Sequence, residues 1–252
     1  MIGLPIFMYH HVSESLNLSL KSMEISPDKF ECQMRFLYQK GFRCLSLSEV
    51  TTNWEQGRPQ PNHSFVLTFD DAYIDFYENA APILKKFGFN ATVFVVAKPV
   101  EEGNQRYLSW QEMRELAQDR FTFGSHTMTH PSLTKLDNTT IKSELIESKE
   151  MIEDRLGLPV ELFAYPYGDS DERVRDIARQ CGYRSACGVT VGHLAQFNLW
   201  RVSINQHESE SSFYLKVRGA YYLYNWLKEE TQVGRIGRKT RAVIWGTQEK
   251  SF

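Results

Sequence analysis

Ser64-Phe65-Val66-Leu67-Thr68-Phe69-Asp70-Asp71 is an apolar, strand-like run that ends in two adjacent carboxylates. A strand of this composition is normally buried, and a buried charge is costly unless it is paired or bound to a metal. Three other segments share the plan. Leu4-Pro5-Ile6-Phe7-Met8-Tyr9 runs into His10-His11, and Phe121-Thr122-Phe123-Gly124-Ser125 runs into His126-Thr127-Met128-Thr129-His130. Leu162-Phe163-Ala164-Tyr165 runs into Pro166-Tyr167-Gly168. Strands with polar chemistry at their C-terminal ends place one active site on the strand-end face of a parallel α/β fold.

Outward from these segments, strand and helix patterns alternate. Strands are expected near 4–9, 65–69, 91–97, 121–125, 161–165, 184–187 and 199–204. Helices are expected from Ser26-Pro27 to Gly41, over 73–87 with Pro82 kinking or splitting it, from the Ser109–Glu112 capping box, and over 138–156, 171–181 and 210–228. Residues 53–64 read as a loop. The alternation predicts an α/β fold: a barrel or barrel-like parallel sheet of about seven or eight strands. Residues 1–230 are expected to form this one domain. Residues 231–252, with Arg235, Arg238, Lys239 and Arg241, read as a basic, solvated tail.

Composition narrows the function classes. The chain has 252 residues, of which 42% are hydrophobic and 24% charged, which suits a single large α/β domain. A formal net charge of -2 offers no bulk attraction to nucleic acid or anionic membrane. No apolar run approaches the roughly 20 residues of a spanning helix. No basic stretch followed by a long apolar one opens the chain, so no signal peptide is read and a cytoplasmic location is expected. Cys32, Cys44, Cys181 and Cys187 include no C-x-x-C pair and are expected to be free, buried thiols. Nothing in the sequence sets an oligomeric state.

The site chemistry rests on a conjunction. In an extended strand His126 and His130 would lie about 13 Å apart, at roughly 3.3 Å per residue. One ion needs its ligands at about 2 Å, so the chain must coil here, and a helical turn would bring positions i and i+4 to one face. Two histidines and a carboxylate from Asp70-Asp71 are a common ligand set for a catalytic divalent ion: zinc first, with cobalt, nickel or iron as alternatives. One aspartate can bind the ion while its neighbour acts as general base. Alone, an Asp-Asp pair is as readily a helix start. The histidine pair shifts that balance.

Thr68-Phe69-Asp70-Asp71, His126-Thr127-Met128-Thr129-His130 and Tyr165-Pro166-Tyr167-Gly168, in this order, resemble the first three motifs of the polysaccharide deacetylase family (NodB homology, carbohydrate esterase family 4). The resemblance covers roughly residues 4–205. It implies a distorted (β/α)7-type barrel and metal-dependent removal of acetyl groups from sugars, usually N-acetylglucosamine units. Carried over by position, it makes Asp70 the general base and Asp71, His126 and His130 the metal ligands. It gives the backbone N–H of Tyr167 to the oxyanion of the tetrahedral intermediate. The family's arginine two residues before the third-motif proline is Ala164 here, and no late strand ends in a histidine. His193 and His207 sit in polar surroundings and read as ordinary exposed residues.

Met8-Tyr9-His10-His11-Val12 resembles a subgroup with circularly permuted motif order, which includes poly-N-acetylglucosamine deacetylases. That resemblance makes His10 the general acid. Arg201, in Leu199-Trp200-Arg201-Val202, is a candidate for the missing guanidinium, with a surface or salt-bridge role as the competing reading. Trp54, Trp110, Tyr73, Tyr77 and Trp200 are candidates to stack on sugar rings, though core packing is the commoner use of each. The expected function is hydrolysis of N-acetylated sugar in a poly-, oligo- or lipid-linked saccharide. The alternative is a carbohydrate-binding pseudoenzyme that keeps the barrel. A glycosidase fits poorly, because its two carboxyl groups must face each other across the sugar.

Overall fold

Period-two alternation along the strands sorts side chains into two buried layers. Ile6, Val66, Phe94, Leu162, Ala164, Cys187 and Leu199 pack together inside the sheet. Their neighbours Phe7, Phe65, Leu67, Val93, Val95, Phe163 and Ala186 join the larger layer beneath the helices. A computed structural model describes residues 4–14, 23–189 and 195–218. Its strands are β1 (Ile6–Tyr9), β2 (His11–Val12), β3 (Glu24–Ile25), β4 (Arg43–Cys44), β5 (Ser64–Phe69), β6 (Ala91–Val95), β7 (Phe121–Ser125), β8 (Leu162–Ala164), β9 (Ser185–Gly188), β10 (Leu199–Trp200) and β11 (Val202–Ser203). Its α-helices are α1 (Pro27–Gln39), α2 (Leu47–Glu55), α3 (Ala81–Phe87), α4 (Ala97–Glu101), α5 (Trp110–Ala117), α6 (Asn138–Leu156), α7 (Glu172–Gln180) and α8 (Glu210–Val217).

The main sheet runs β10-β9-β8-β7-β6-β5-β1-β11, with β4 added beside β5. Its pairs are parallel. The two ends of this path are consecutive in sequence. β10 pairs with β9, the chain passes through Arg201, and β11 pairs with β1. The single strand expected at 199–204 is therefore broken at Arg201, because the chain there leaves one end of the sheet and joins the other. The result is a parallel sheet nearly closed into a barrel with flanking helices.

Several other expectations are corrected. The helix expected over 73–87 starts later, with a π-helical turn at Phe76–Ala80 followed by α3. Pro82 has no N–H to continue an α-helical ladder and sits in the first turn of α3, where none is needed. α2 occupies part of the stretch read as loop; Ser46 caps it by accepting from the Glu49 N–H. The cysteines are free, but Cys32 is exposed and Cys44 half-buried. Helix 210–228 is described as far as Val217. His193 and the basic tail lie outside the described residues. Among the described residues no helix is long and apolar enough to cross a membrane.

Candidate active site

Strand register assembles the site. Tyr9 is paired with Phe69, so the next residues, His10 and Asp70, emerge side by side, and the Asp70 N–H donates to the Tyr9 carbonyl at 3.0 Å. Val95 is paired with Ser125, and the His126 N–H continues that ladder to the Val95 carbonyl. These strand ends open on a cavity of about 640 Å³ whose wall includes His10, Asp70, Asp71, His126, His130 and Tyr167.

Asp71, His126 and His130 bring one potential ligand atom each to within 4.8 Å of one another. Asp71 Oδ1 lies 3.7 Å from His126 Nε2 and 3.6 Å from His130 Nε2. Ligands about 2 Å from one ion in tetrahedral array stand about 3.3 Å apart, so this donor set fits a divalent ion with little movement. His126 Nδ1 lies 2.7 Å from the Ala164 carbonyl. A carbonyl can only accept, so Nδ1 carries the proton and Nε2 is left as the ligand atom. Burial pushes the His130 imidazole below its ordinary value, and the neighbouring His126 adds to this, which favours the neutral, ligating form.

The turn carrying the two histidines is not the helical turn expected. It is an irregular bend in which Thr127 and His130 adopt positive φ, 71° and 61°. Thr127 Oγ1 accepts the His130 N–H at 2.9 Å, and Ser125 Oγ accepts the Thr127 N–H at 3.1 Å. Asp71 and Ala72 are also at positive φ, 70° and 59°. Such non-glycine conformations are costly and concentrate at functional sites.

Arg201 is fully buried and grips Asp70 with both guanidinium arms, Nη1 to Oδ1 at 2.5 Å and Nη2 to Oδ2 at 2.8 Å. Nη1 also donates to Thr68 Oγ1. Burial works against the Asp70 charge, but Arg201, then His126 and His10, outweigh it and hold the carboxyl well below the usual carboxylate range. His10 Nε2 lies 3.9 Å from Asp70 Oδ2, and His10 Nδ1 is buried with no hydrogen-bond partner among the described residues. Burial lowers the His10 pKa, and the charges of Asp70 and Asp71 offset this only in part. Ala164 faces the interior layer with Cys187, so the guanidinium missing from position 164 has a counterpart in Arg201.

Tyr167 is 68% exposed, with its ring edge-on to His130 at 4.8 Å. Its backbone is left-handed, φ 59°. Its N–H is the first of the 3₁₀ turn at Pro166–Gly168, since Pro166 has none, and helix geometry supplies it no partner. Of the aromatic candidates, Tyr73 lines the cavity, joined by Tyr107, with which it stacks at 5.2 Å. Trp200 is instead buried and donates to the Val189 carbonyl, Trp110 donates to Glu101, and Trp54 lines a separate groove at the opposite strand ends. His207 is exposed and off the cavity wall.

The polysaccharide deacetylase family model matches residues 57–186, a span that contains both carboxylates, both histidines and Tyr167. The chain belongs to the polysaccharide deacetylase family. It is 30% identical over 222 residues to YxkH of Bacillus subtilis (strain 168), which bears a polysaccharide deacetylase name, covering 86% of this chain and 75% of that protein. It is 26% identical over 182 residues to the poly-beta-1,6-N-acetyl-D-glucosamine N-deacetylase of Staphylococcus aureus (strain MRSA252), covering 68% of this chain and 62% of that one. Among solved structures, the Streptococcus pyogenes deacetylase PplD, in complex with acetate, superposes with a TM-score of 0.78 at 27% identity, over 85% of this chain and 97% of that chain. His10 and Arg201 lie outside the span of the family model, so their placement rests on the geometry above.

Proposed function

We propose that this protein is a metal-dependent hydrolase that removes acetyl groups from N-acetylglucosamine-containing saccharides. The observation that carries the reading is one cavity holding an Asp71–His126–His130 donor set, an Asp70 carboxylate oriented by Arg201, and His10 beside it. The S. aureus relative, named for poly-beta-1,6-N-acetyl-D-glucosamine, supports that polymer as the first substrate to try.

When bound, a divalent ion at the three ligands supplies a water of lowered pKa and positive charge beside the acyl oxygen. Asp70 is the base. Arg201 occupies one lone pair on each of its oxygens and leaves others directed at the cavity. The Tyr167 N–H, unused within its turn, is a donor for the developing oxyanion. His10 delivers a proton to the departing amine, which otherwise leaves poorly.

The test is acetate release from poly-β-1,6-N-acetylglucosamine and from chitooligosaccharides, with and without chelator. Release that chelation abolishes and zinc or cobalt restores is the expected result. Saccharide binding without release by the metal-loaded protein would favour the carbohydrate-binding pseudoenzyme instead.

A further inference from the structure

The turn that carries both candidate histidine ligands is held by a helix that contributes no ligand. Glu144, on α6, accepts the Met128 N–H and the Thr129 N–H on one carboxylate oxygen, each at 2.9 Å, and the Thr129 hydroxyl on the other at 2.6 Å. One turn further along the same helix face, Ser148 Oγ meets Ser125 Oγ at 2.7 Å, and Ser125 Oγ takes the Thr127 N–H. The segment between the two histidines therefore has successive N–H groups, at Thr127, Met128 and Thr129, tied directly or through one hydroxyl to α6. It needs such ties. Thr127 and His130 hold positive φ without being glycine, a conformation that persists only where the surroundings enforce it.

We propose that Glu144 is a positioning residue for the metal centre: it sets the affinity for the ion by fixing the His126–His130 turn, without touching the ion. The proposal rests on the metal reading given above. Its physical basis is preorganisation. With the turn clamped, the two imidazoles already stand 3.6–3.7 Å from Asp71 Oδ1, and binding need not meet the ordering cost of a loose loop. Charge-assisted hydrogen bonds to a carboxylate are roughly twice as strong as neutral ones, which suits one side chain to holding a strained bend.

The experiment is a zinc titration, and a parallel cobalt titration followed by its visible spectrum, on the purified apoprotein. The variants are Glu144→Ala, Glu144→Gln, Thr129→Val and His126→Ala. Loss of Glu144 is expected to weaken zinc binding about 10–100-fold, as for other groups that orient metal ligands, with Thr129→Val milder. Glutamine keeps an acceptor oxygen for the two N–H groups but gives up the charge, so it is expected to fall between wild type and Glu144→Ala. Amide exchange at Met128 and Thr129, read by NMR or mass spectrometry without metal, should accelerate in Glu144→Ala while the β5 and β7 amides stay protected. Wild-type affinity in Glu144→Ala would overturn the proposal. Equal weakening in the glutamine and alanine variants would also overturn it, since charge at a distance and not positioning would then be the cause. Should Glu144→Ala fail to fold, Thr129→Val and Glu144→Gln decide by the same titration. Failure of the metal reading itself is distinguishable: wild type would then bind no tighter than His126→Ala.

Discussion

Each oxygen of Asp70 accepts from a guanidinium nitrogen, while Asp71, its neighbour in sequence, turns toward two imidazoles. That division of labour separates the effects of three substitutions. His126→Ala removes the proposed ligand whose tautomer is fixed, and elemental analysis should show most of the metal gone from a folded protein. Asp70→Asn keeps one acceptor for Arg201 and leaves the ligands in place; metal should stay while turnover falls by about 10²–10⁴, the usual worth of a general base. His10→Ala should also keep metal and lose most turnover. Burial lowers the His10 pKa, so the protonated acid disappears early on the alkaline side. In a rate series against pH, the alkaline limb of kcat/KM should lie below the ordinary histidine value of about 6.5. Turnover near wild type in His10→Ala, or a limb that this change does not move, would assign the acid elsewhere. The carboxylates, the histidine pair and His10 were legible in the sequence because each ends an apolar strand. Glu144 and the Ala164 carbonyl were not. One lies on a helix with no ligand spacing, and the other is a backbone group whose side chain says nothing of its use.

At the scale of elements, register does the positioning, and small residues permit it. Gly124 sits within β7, where an added Cβ would lie 2.7 Å from the Phe94 ring and 2.8 Å from the Leu162 carbonyl. Gly124→Ala must therefore push a core ring or the neighbouring strand, at a cost of about 1–3 kcal/mol for overpacking. A lowered midpoint in thermal or urea unfolding is expected, together with weakened metal binding, because His126 lies two residues on. Most elements were legible from periodicity and caps. The His126–His130 turn was not, because backbone N–H groups donating to the Thr127 and Ser125 hydroxyls and to the Glu144 carboxylate impose a bend that i, i+4 spacing alone reads as helix. α2 carries the cap spacing of Ser46 and Glu49, but the proline-rich stretch after Trp54 masks its C-terminal end.

The whole barrel depends on a seam one residue wide. β10 and β11 pair with opposite ends of the sheet, and Arg201 between them turns inward to Asp70 and lies 5.5 Å from the Phe94 ring. Arg201→Met would leave a buried carboxylate unpaired, a change typically worth about 3–5 kcal/mol. Its pH dependence should change. In wild type the Asp70 pKa is depressed, so its stabilisation is complete above the unfolded value of about 3.9 and is lost as pH falls. Without the guanidinium, only His126 and His10 are left to oppose burial, so that pKa should rise and the stabilisation at neutral pH should shrink. The gap between wild type and Arg201→Met in denaturant unfolding should be widest at pH 7 and shrink as pH falls, closing only well below pH 4; a gap independent of pH would show that the pair carries little electrostatic weight. Alternation of strands and helices made the parallel barrel legible, but the break at Arg201 was not. A strand's partners are remote in sequence, and nothing local marks a chain that changes sides. The order of synthesis gives the seam a further meaning. Asp70 leaves the ribosome 131 residues ahead of Arg201. A nascent chain already carries its carboxylates and histidines, yet lacks the guanidinium that grips Asp70 once it is buried. Closing the barrel and pairing Asp70 therefore both wait for the same late residue.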